Sequence, residues 1–521
     1  MIKQPKCLVF MALAVPMIFF VKPAVAGNTN EEILKRLNEL TNIVVRQQEE
    51  IKKLRQEINN QKRFINQKAA GMEELGKQAK EREKIITGII EEKKKKDALL
   101  KKKKALPLLA YWKNDFIIST PDENFWMKIR GNLHFDSKFY GRNSDNPSEF
   151  DIRRARMDFQ GMWYKYIRFR VQAEFADSPY IRNAWADYKF RDWFHIRVGQ
   201  MKPPFSTSWW TKDNNVNFLE RGANTPIYPY FDRGFWLWGN TLKNTLTWNL
   251  GAFTGAGMDK DNNKGDIDDH KDYIARLFYT PFKNHKGTFL EGLHLVVEGA
   301  IGRQSVPTKR FEKRGYGAAV RDDKFWTWET ESNGGRGEIK SRDRYGVELH
   351  YINGPFTLSS ECLVARYDDI NVFVDGHKVI GEDGSVRSWS TWVSYFLTGE
   401  QKEVSNFGWH QPKPRSNFDF VHLTGTGAWE ILARYTKTKT SDSLFNRHSY
   451  GGKDYTILKG ADRVDEFTLG LSWTWNPMVR WQLNYVHLHG DGIRTGDSDN
   501  PAGKNRVDSE DMAGLRMIFK F

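Results

Sequence analysis

Cysteine is almost absent from the 521-residue chain, which contains only Cys7 and Cys362. Cys7 lies in a predicted leader, so the mature chain keeps a single thiol, and this excludes an intramolecular disulfide and a cysteine-based metal site. Glycine-rich phosphate loops and clusters with metal-ligand spacing are also missing. His134, His350 and His487 are isolated in the sequence, without the nucleophile and orienting partner that a hydrolase needs. We therefore expect neither an enzyme nor a bound cofactor or metal.

Long apolar runs are missing as well. No segment beyond the leader holds 18 consecutive apolar residues, which excludes a bundle of membrane helices. The short apolar run at residues 7–21 follows Lys3 and Lys6 and precedes Ala24-Val25-Ala26. This order indicates a secretory signal cleaved before Gly27; a membrane anchor is the alternative, but the run is short for one. If the exported chain crosses a membrane, it must do so as a closed barrel.

Basic residues outnumber acidic residues, but this excess is distributed unevenly along the chain. The formal net charge is +15, from 80 Lys and Arg against 65 Asp and Glu. Loss of Lys3, Lys6 and Lys22 with the leader leaves +12, and residues 27–110 contribute +8 through 21 basic and 13 acidic residues. Only +4 therefore remains for residues 111–521. Export and this distribution both argue against a nucleic-acid partner.

A heptad pattern follows the leader. From residue 33 the apolar residues step alternately by four and three positions, with Glu, Lys, Arg, Gln and Asn between them. The a positions are Leu37, Val44, Ile51, Ile58 and Ile65, and the d positions are Ile33, Leu40, Gln47, Leu54 and Gln61. Five heptads exceed what a lone amphipathic helix would show, so we predict an α-helical coiled coil. The polar d residues leave its oligomeric state open.

Two runs of four lysines, residues 93–96 and 101–104, come next. A solvated helix end or linker is the simpler interpretation, and contact with anionic lipid headgroups or another envelope polymer at the periplasmic face is the alternative. Pro107 marks the end of this segment. We thus predict a signal peptide over residues 1–26, a periplasmic coiled coil with a Lys-rich linker over residues 27–106, and a third domain over residues 107–521.

Beyond Tyr111 the hydrophobic period changes to two, which is that of a β-strand. In the last segment Leu515, Met517, Phe519 and Phe521 share one face, and residues 127–135, 168–175, 429–435, 466–475 and 479–485 alternate in the same way. A soluble β-sandwich also has one polar face. Strands of about ten residues, aromatic ends on the apolar faces and a terminal Phe instead favour an all-β transmembrane barrel in the outer membrane.

We count sixteen strands between Phe125 and Phe521, an even number as in other transmembrane barrels. Short connections near Lys165, Arg191, Lys243, Asn353 and Pro477 alternate with long ones at residues 200–233, 304–342 and 489–511. Periplasmic turns and external loops alternate in this manner. Residues 399–427 break the rule, because they form a long connection where a short turn is expected, and the pattern offers no reason for it.

Short motifs in the third domain, spread over nearly its whole length, are typical of one family. They are Ile152-Arg153-Arg154-Ala155-Arg156, Asp187-Tyr188-Lys189-Phe190, Arg197-Val198-Gly199-Gln200 with Lys202, Pro204 and Phe205, Phe218-Leu219-Glu220-Arg221, Tyr345-Gly346-Val347-Glu348, Gly354-Pro355-Phe356, Tyr395-Phe396-Leu397-Thr398-Gly399-Glu400, Gly427-Ala428-Trp429-Glu430, Asn476-Pro477 and Asn484-Tyr485-Val486-His487. In order and coverage they resemble the phosphate- and polyphosphate-selective outer-membrane porins. The resemblance implies a sixteen-stranded homotrimeric channel with an anion-conducting lumen. It does not fix the solute.

Charged side chains that line a pore decide its selectivity. The alternation predicts that the following basic residues face the lumen: Lys128, Arg130, Arg154, Arg156, Arg168, Arg170, Arg197, Arg276, Arg434, Arg480 and Arg516. A guanidinium binds an oxyanion through two hydrogen bonds and keeps its charge. The alternative is that these arginines pair across strands with Asp158, Glu174, Glu348 and Glu430 and stiffen the wall.

Residues 200–233 follow the fifth strand, where a long loop of porins commonly folds inward and narrows the pore. We predict Lys202, Lys212, Arg221 and Arg233 at this constriction, while Trp209 and Trp210 either pack the loop or stack on a sugar or aromatic solute. The favoured function is passive diffusion of small anions, phosphate or polyphosphate among them, with outer-membrane lipid and further copies of the chain as partners. The alternative is a structural envelope protein, in which the barrel anchors a coiled-coil tether.

Overall fold

The computed structural model describes residues 84, 86–94, 107–113, 115–142, 144, 146–176, 179–255, 257, 269–307, 325–330, 334–494 and 506–521. The predicted signal peptide and nearly all of the predicted coiled coil lie outside the described residues. The chain divides into two compact units, Met1–Pro107 and Leu108–Phe521, and residues 84 and 86–94 of the first are helical. In the described part of the chain, no helix is long and apolar enough to span a membrane.

The second unit is a closed barrel of sixteen antiparallel strands, numbered here β1 to β16 in chain order. Each strand pairs with its neighbours in sequence, and β16 pairs with β1, so the sheet closes on itself. The strands are Phe125–Tyr140, Glu149–Trp163, Ile167–Glu174, Tyr180–Arg191, Phe194–Met201, Asp232–Thr241, Leu246–Phe253, Asp272–Tyr279, Leu293–Pro307, Arg336–Asn353, Phe356–Val374, His377–Phe396, Ala428–Thr440, Arg463–Thr474, Val479–Arg494 and Arg506–Lys520. The predicted antiparallel barrel and its count of sixteen strands are confirmed, whereas the coiled coil stays a prediction.

Shorter elements decorate the barrel. A hairpin formed by Leu109–Trp112 and Phe116–Ser119 precedes β1, and is called the N-terminal hairpin below. The remaining short strands are Trp326–Trp328, Val404–Ser405, Gly408–Trp409, His448–Tyr450, Lys453–Tyr455 and Leu458–Gly460. One turn of α-helix spans Thr207–Trp210, and 3-10 turns span Asp213–Asn215, Thr225–Ile227 and Asp442–Phe445.

The two faces of each strand differ in the way that the alternation predicts. On β14, Phe467 and Leu469 are exposed on the outside, whereas Glu466 and Thr468 are fully buried inside the barrel. An exposed apolar face next to a polar interior is unfavourable in water but matches a barrel surrounded by lipid tails. The strands of the wall therefore point their polar side chains into the lumen.

One end of the barrel, called the turn end below, carries the tight turns and the C-terminus. The turns at residues 164–166, 192–193, 242–245, 354–355 and 475–478 lie where the sequence predicts short connections. Aromatic rings surround this end: Trp163 packs on Phe169 at 4.9 Å between centroids, and Trp429 stacks on Trp473 at 4.6 Å. Such belts are typical of a membrane interface, because the rings have one apolar and one hydratable side.

The N-terminal hairpin extends the wall beyond the last residue of the chain. Backbone hydrogen bonds join Phe521 to Gly131 on β1. Below that point Phe116 pairs with Ile129, so the hairpin takes over the edge that β16 leaves. A Cβ at position 131 would lie 2.0 Å from the Phe521 ring, hence only glycine lets the terminal ring lie flat on β1.

Candidate functional site

The long connection between β5 and β6 folds into the lumen. Its inward part, residues 202–231, is called the constriction loop below, and most of its side chains are buried. The single helical turn within it starts at Ser206, whose hydroxyl accepts a hydrogen bond from the Trp209 backbone N–H at 3.3 Å. The turn is short, so the contacts of the loop with the wall must hold it in place.

Three carboxylates on neighbouring strands bind the start of the constriction loop. Glu298 on β9 accepts the Ser206 backbone N–H at 2.8 Å, and Glu348 on β10 accepts that of Thr207 at 2.9 Å. Glu361 on β11 accepts the Ser206 hydroxyl at 2.8 Å. All three carboxylates are almost fully buried. The acidic side of the wall thus serves as a docking surface for the loop.

Asp213 anchors the next part of the loop among basic groups. Its carboxylate accepts Nη1 of Arg156 at 2.5 Å and Nη2 of Arg221 at 2.9 Å, with Nζ of Lys202 at 3.8 Å. Burial alone would raise the pKa of Asp213, but Arg156, Lys202 and Arg221 hold that pKa well below its usual range. The carboxylate therefore stays ionised at any pH near neutral, and the anchor persists.

Glu220 forms the corresponding anchor on the far stretch of the loop. It accepts Nε of Arg153 on β2 at 2.7 Å and Nη2 of Arg516 on β16 at 2.8 Å. Arg434 on β13 donates to the Glu220 backbone carbonyl at 3.0 Å. Wall arginines from three separate strands converge here on one loop residue. Charge-assisted bonds of this kind are among the strong ones in proteins.

A second segment, residues 397–427 between β12 and β13, also enters the lumen and is called the inward turn below. Its small hairpin, Val404–Ser405 with Gly408–Trp409, brings the Trp409 N–H within 2.9 Å of the Thr211 hydroxyl on the constriction loop. Lys402 binds Glu430 at 2.7 Å. The long connection that the sequence shows at residues 399–427 is present in the structure, and it has a physical reason: the stretch from Lys402 to Trp409 packs inside the barrel and leaves the strand count unchanged.

Several arginines predicted to face the lumen are buried and hold these two segments. Arg156 and Arg434 bind Glu174 and Glu466 across neighbouring strands, and Arg276 binds Glu298 at 2.8 Å. The other buried members are Arg154, Arg480 and Arg516. Arg156, Arg276 and Arg434 thus pair with carboxylates across neighbouring strands, and Arg154 and Arg516 bind acids of the constriction loop. Glu430, in contrast, pairs with a lysine of the inward turn.

The remaining predicted basic residues form a band that solvent reaches near the turn end. Strand register places Lys128, Gln160 and Arg170 side by side, and Arg168, Asp187 and Arg197 likewise. Arg168 is exposed, and Lys128 and Arg130 keep 27% and 30% of their side-chain surface. Asp158 pairs with Arg170 at 2.7 Å. This group of five (Lys128, Arg130, Arg168, Arg170 and Arg197) is called the basic band below.

The four basic residues predicted at the constriction have different surroundings. Lys212 is exposed on the loop, near the basic band. Lys202 donates to the Trp209 carbonyl at 2.7 Å, and Arg221 donates to the Thr211 carbonyl at 2.8 Å. Arg233 is half-buried and donates to Gln200 at 3.2 Å. Lys212 is therefore the member of this set placed to meet a solute.

Trp209 and Trp210 are buried within the loop packing. Trp209 stacks on Tyr228 at 5.7 Å between centroids, and Trp210 lies 5.0 Å from Trp236. Arg197 lies between Trp185 and Trp236, at 4.0 Å and 4.4 Å from the ring centroids. The packing interpretation of the two tryptophans fits these contacts, because neither ring presents a free face to a solute.

Histidines give no reaction centre in the described part of the lumen. The sequence suggests that His350 is isolated, but in the structure its ring lies 2.9 Å from the Ser359 hydroxyl and 3.1 Å from the Glu348 carboxylate. The three groups are buried beneath the constriction loop, where no substrate could approach the serine. Within the described residues, His, Cys, Asp and Glu side chains form no group able to hold a metal ion.

The sequence pattern missed the acids that hold the loop. Glu298, Glu361 and Glu466 occupy inward positions of regular strands. The alternation of inward and outward positions along each strand could therefore have identified them as lumen-facing acids. Asp213 and Glu220 lie in irregular segments, where no period indicates direction. Arg221 is near Asp213 on the loop, but the wall arginines that bind these two acids are distant in sequence, and only the closed barrel brings them to the loop.

Comparisons with known proteins agree with this architecture. A family model described as phosphate-selective porin O and P matches residues 127–521. No curated protein matches the sequence. Similar solved structures include the anion-selective porin from Comamonas acidovorans, at 11% identity and TM-score 0.44 over 76% of this chain and 100% of that one. Others are DcaP of Acinetobacter baumannii (9%, TM-score 0.45, 76% and 98%) and trimeric OmpT of Vibrio cholerae (12%, 0.43, 76% and 99%).

Proposed function

Because the chain belongs to the family of phosphate-selective porins O and P, and is thus an outer-membrane porin, we propose that it conducts small anions by passive diffusion, with inorganic phosphate among them. The observation that supports this most directly is the basic band together with Lys212. Near the turn end solvent reaches Arg168, Lys212, Lys128 and Arg130, whereas Arg170 and Arg197 are largely covered. A pore selects ions through the charge along its wall.

The chemistry of the band suits an oxyanion. A guanidinium offers two parallel donors and does not lose its proton, and an ammonium adds a compact charge. Asp158 and Asp187 neutralise part of the band by pairing with Arg170 and Arg197. Partial neutralisation keeps each site weak, and a conducting pore needs weak sites so that the ion leaves again.

Two inward segments narrow the passage. The constriction loop and the inward turn contact each other at Thr211 and Trp409, and Trp210 stacks on Phe407 at 5.7 Å. Together with the wall they bury four arginines: Arg276 on β8, Arg434 on β13, Arg480 on β15 and Arg516 on β16. We therefore propose that anions pass along β1 to β5, next to Lys212, and not through the centre of the barrel.

Planar bilayer recording tests this proposal. The purified protein should give stepwise conductance, and a KCl gradient should give a reversal potential that reports chloride over potassium. Millimolar phosphate should block part of the chloride current, since it competes at the band. A channel that prefers potassium would overturn the anion proposal, and a chloride current insensitive to phosphate would remove phosphate from it.

We further propose a homotrimer whose coiled coil reaches into the periplasm and tethers the barrel to another envelope component. The heptads at residues 33–65 support the coil, and the lysine runs support contact with a polyanion. Deletion of residues 30–104 should leave single-channel conductance unchanged and loosen the cell envelope. Unchanged sensitivity of the deletion strain to detergent would argue against the tether, and a monomer in cross-linking of the full chain would argue against the trimer.

A further inference from the structure

Asp115 enters the barrel from the N-terminal hairpin and lies on two members of the basic band. The hairpin continues the wall below Phe521, and its second strand starts at Phe116 opposite Ile129 on β1. Asp115, the residue before that strand, is thereby brought next to the inward side chains of Lys128 and Arg130. Its side chain keeps only 15% of its surface.

The contacts of Asp115 are those of an anion in a binding site. Arg130 donates from Nε and Nη2 to the two carboxylate oxygens, each at 2.6 Å. Lys128 adds a third donor at 2.9 Å. The remaining Nη1 of Arg130 reaches Gln160 at 3.3 Å, which fixes the plane of the guanidinium. A bidentate fork with an ammonium beside it is the arrangement that binds any planar pair of oxyanion oxygens.

Further positive charge surrounds this carboxylate. Lys212 and Lys520 both lie within electrostatic reach of Asp115 and of Arg130. Arg170 is next to Gln160 in the strand register and pairs with Asp158. The carboxylate is thus an internal counter-ion at the turn end of the route assigned above to anions. A phosphate that arrives there would meet the same donors.

We propose that Lys128 and Arg130 form an oxyanion subsite, and that Asp115 occupies this subsite as an intramolecular competitor which inorganic phosphate must displace. The inference rests on the proposed anion channel and adds a role for the hairpin: it sets how tightly the turn end retains an anion. Displacement requires only that the carboxylate move aside, because 27% and 30% of the two basic side chains are already open to solvent.

The first experiment compares the full chain with Asp115→Asn, which keeps the shape and removes the charge. Isothermal titration of the detergent-solubilised protein with inorganic phosphate should show binding at least about five-fold tighter in the variant, in the range of ordinary coupling between competing ligands. In bilayers, the phosphate concentration that halves the chloride current should fall by a similar factor. Asp122→Asn is the matched control, since Asp122 contacts only Thr120 and Asn124 nearby.

A double variant separates competition from a general gain of positive potential. In the double variant Asp115→Asn with Arg130→Gln, the gain in phosphate affinity seen in Asp115→Asn should disappear. If that gain came only from a more positive long-range potential, the double variant would keep most of it. Asp115→Ser serves as a second variant if the asparagine chain does not fold. Unchanged phosphate affinity in both folded single variants would overturn the proposal. The wild-type reversal potential is measured separately, so loss of anion preference would reveal failure of the proposed function and not of the competitor.

Discussion

Arg276 on β8 donates from Nη1 to the side-chain oxygen of Asn406 at 2.8 Å, which fixes the inward turn to a strand far from it in the sequence. The same guanidinium donates from Nε to Glu298, which in turn accepts the Ser206 N–H of the constriction loop. One arginine thus joins both inward segments to the wall. Its role in this structure is to set the shape of the passage.

The first prediction concerns that joint. Asn406→Ala should remove three side-chain hydrogen bonds, one with Arg276 and two with Asn249, and leave buried groups unpaired. We expect the free energy of unfolding to fall by about 1–3 kcal/mol, and single-channel records to show more frequent conductance fluctuations as the inward turn loosens. His422→Ala, at an exposed position of the same turn, should change neither. Single-channel records of Asn406→Ala without added conductance fluctuations would show that other contacts hold the inward turn in place.

The second prediction concerns the Asp213 anchor. Asp213→Asn removes the buried counter-ion of Arg221 and one of the two carboxylates that bind Arg156, which keeps Glu174. We expect the free energy of unfolding to fall by about 3 kcal/mol. Denaturant titration followed by tryptophan fluorescence would measure it. Asp192→Asn, on an exposed turn, is the control. A difference below the error of the titration would contradict the anchoring role.

The third prediction is a pH dependence that follows from the same residue. The pKa of Asp213 is lowered in the folded chain, so its stabilising contribution is present above the ordinary aspartate pKa and is lost only as pH falls through the lower folded value. The difference in free energy of unfolding between the wild type and Asp213→Asn should therefore stay constant from neutral pH down to about pH 4, near the ordinary value. A difference that shrinks between pH 6 and pH 5 would contradict this.

The fourth prediction concerns the basic band. Arg168→Gln removes a solvent-exposed charge from the proposed route and should shift the reversal potential towards potassium. Arg434→Gln removes a buried charge that binds Glu466 and the constriction loop, so it should reduce stability more than selectivity. Lys286→Gln, on an exposed turn, is the control for charge outside the lumen. Equal ion selectivity of Arg168→Gln and Lys286→Gln would show that the basic band does not lie on the route of the anions.

The fifth prediction covers segments outside the described residues. N-terminal sequencing of protein extracted from outer membranes should begin at Gly27 if the leader is cleaved as predicted. A peptide of residues 30–92 should be helical by circular dichroism, and its helicity should rise with concentration because heptad helices gain stability by association. Concentration-independent spectra would indicate a single helix.

Local sequence period was sufficient for the barrel itself. Residues such as Phe467 and Glu466 alternate between lipid and lumen because successive side chains of a strand point to opposite faces, and that rule needs no knowledge of the partner strand. The same rule placed Lys128 and Arg276 inside. It could not tell that Lys128 remains open to solvent while Arg276 is buried, since both follow the same period.

The sequence by itself therefore determined the strands, their number and, within regular strands, the face of the wall on which a side chain lies. Only the tertiary structure decided which charges face water. The long turn that holds Asn406, the acid at position 213 and the hairpin that carries Asp115 each meet partners from other strands, and irregular segments have no period that states where they fold. Residues that pair across the lumen are close in space but not in sequence. They come close to each other only when the sixteenth strand pairs with the first and closes the barrel.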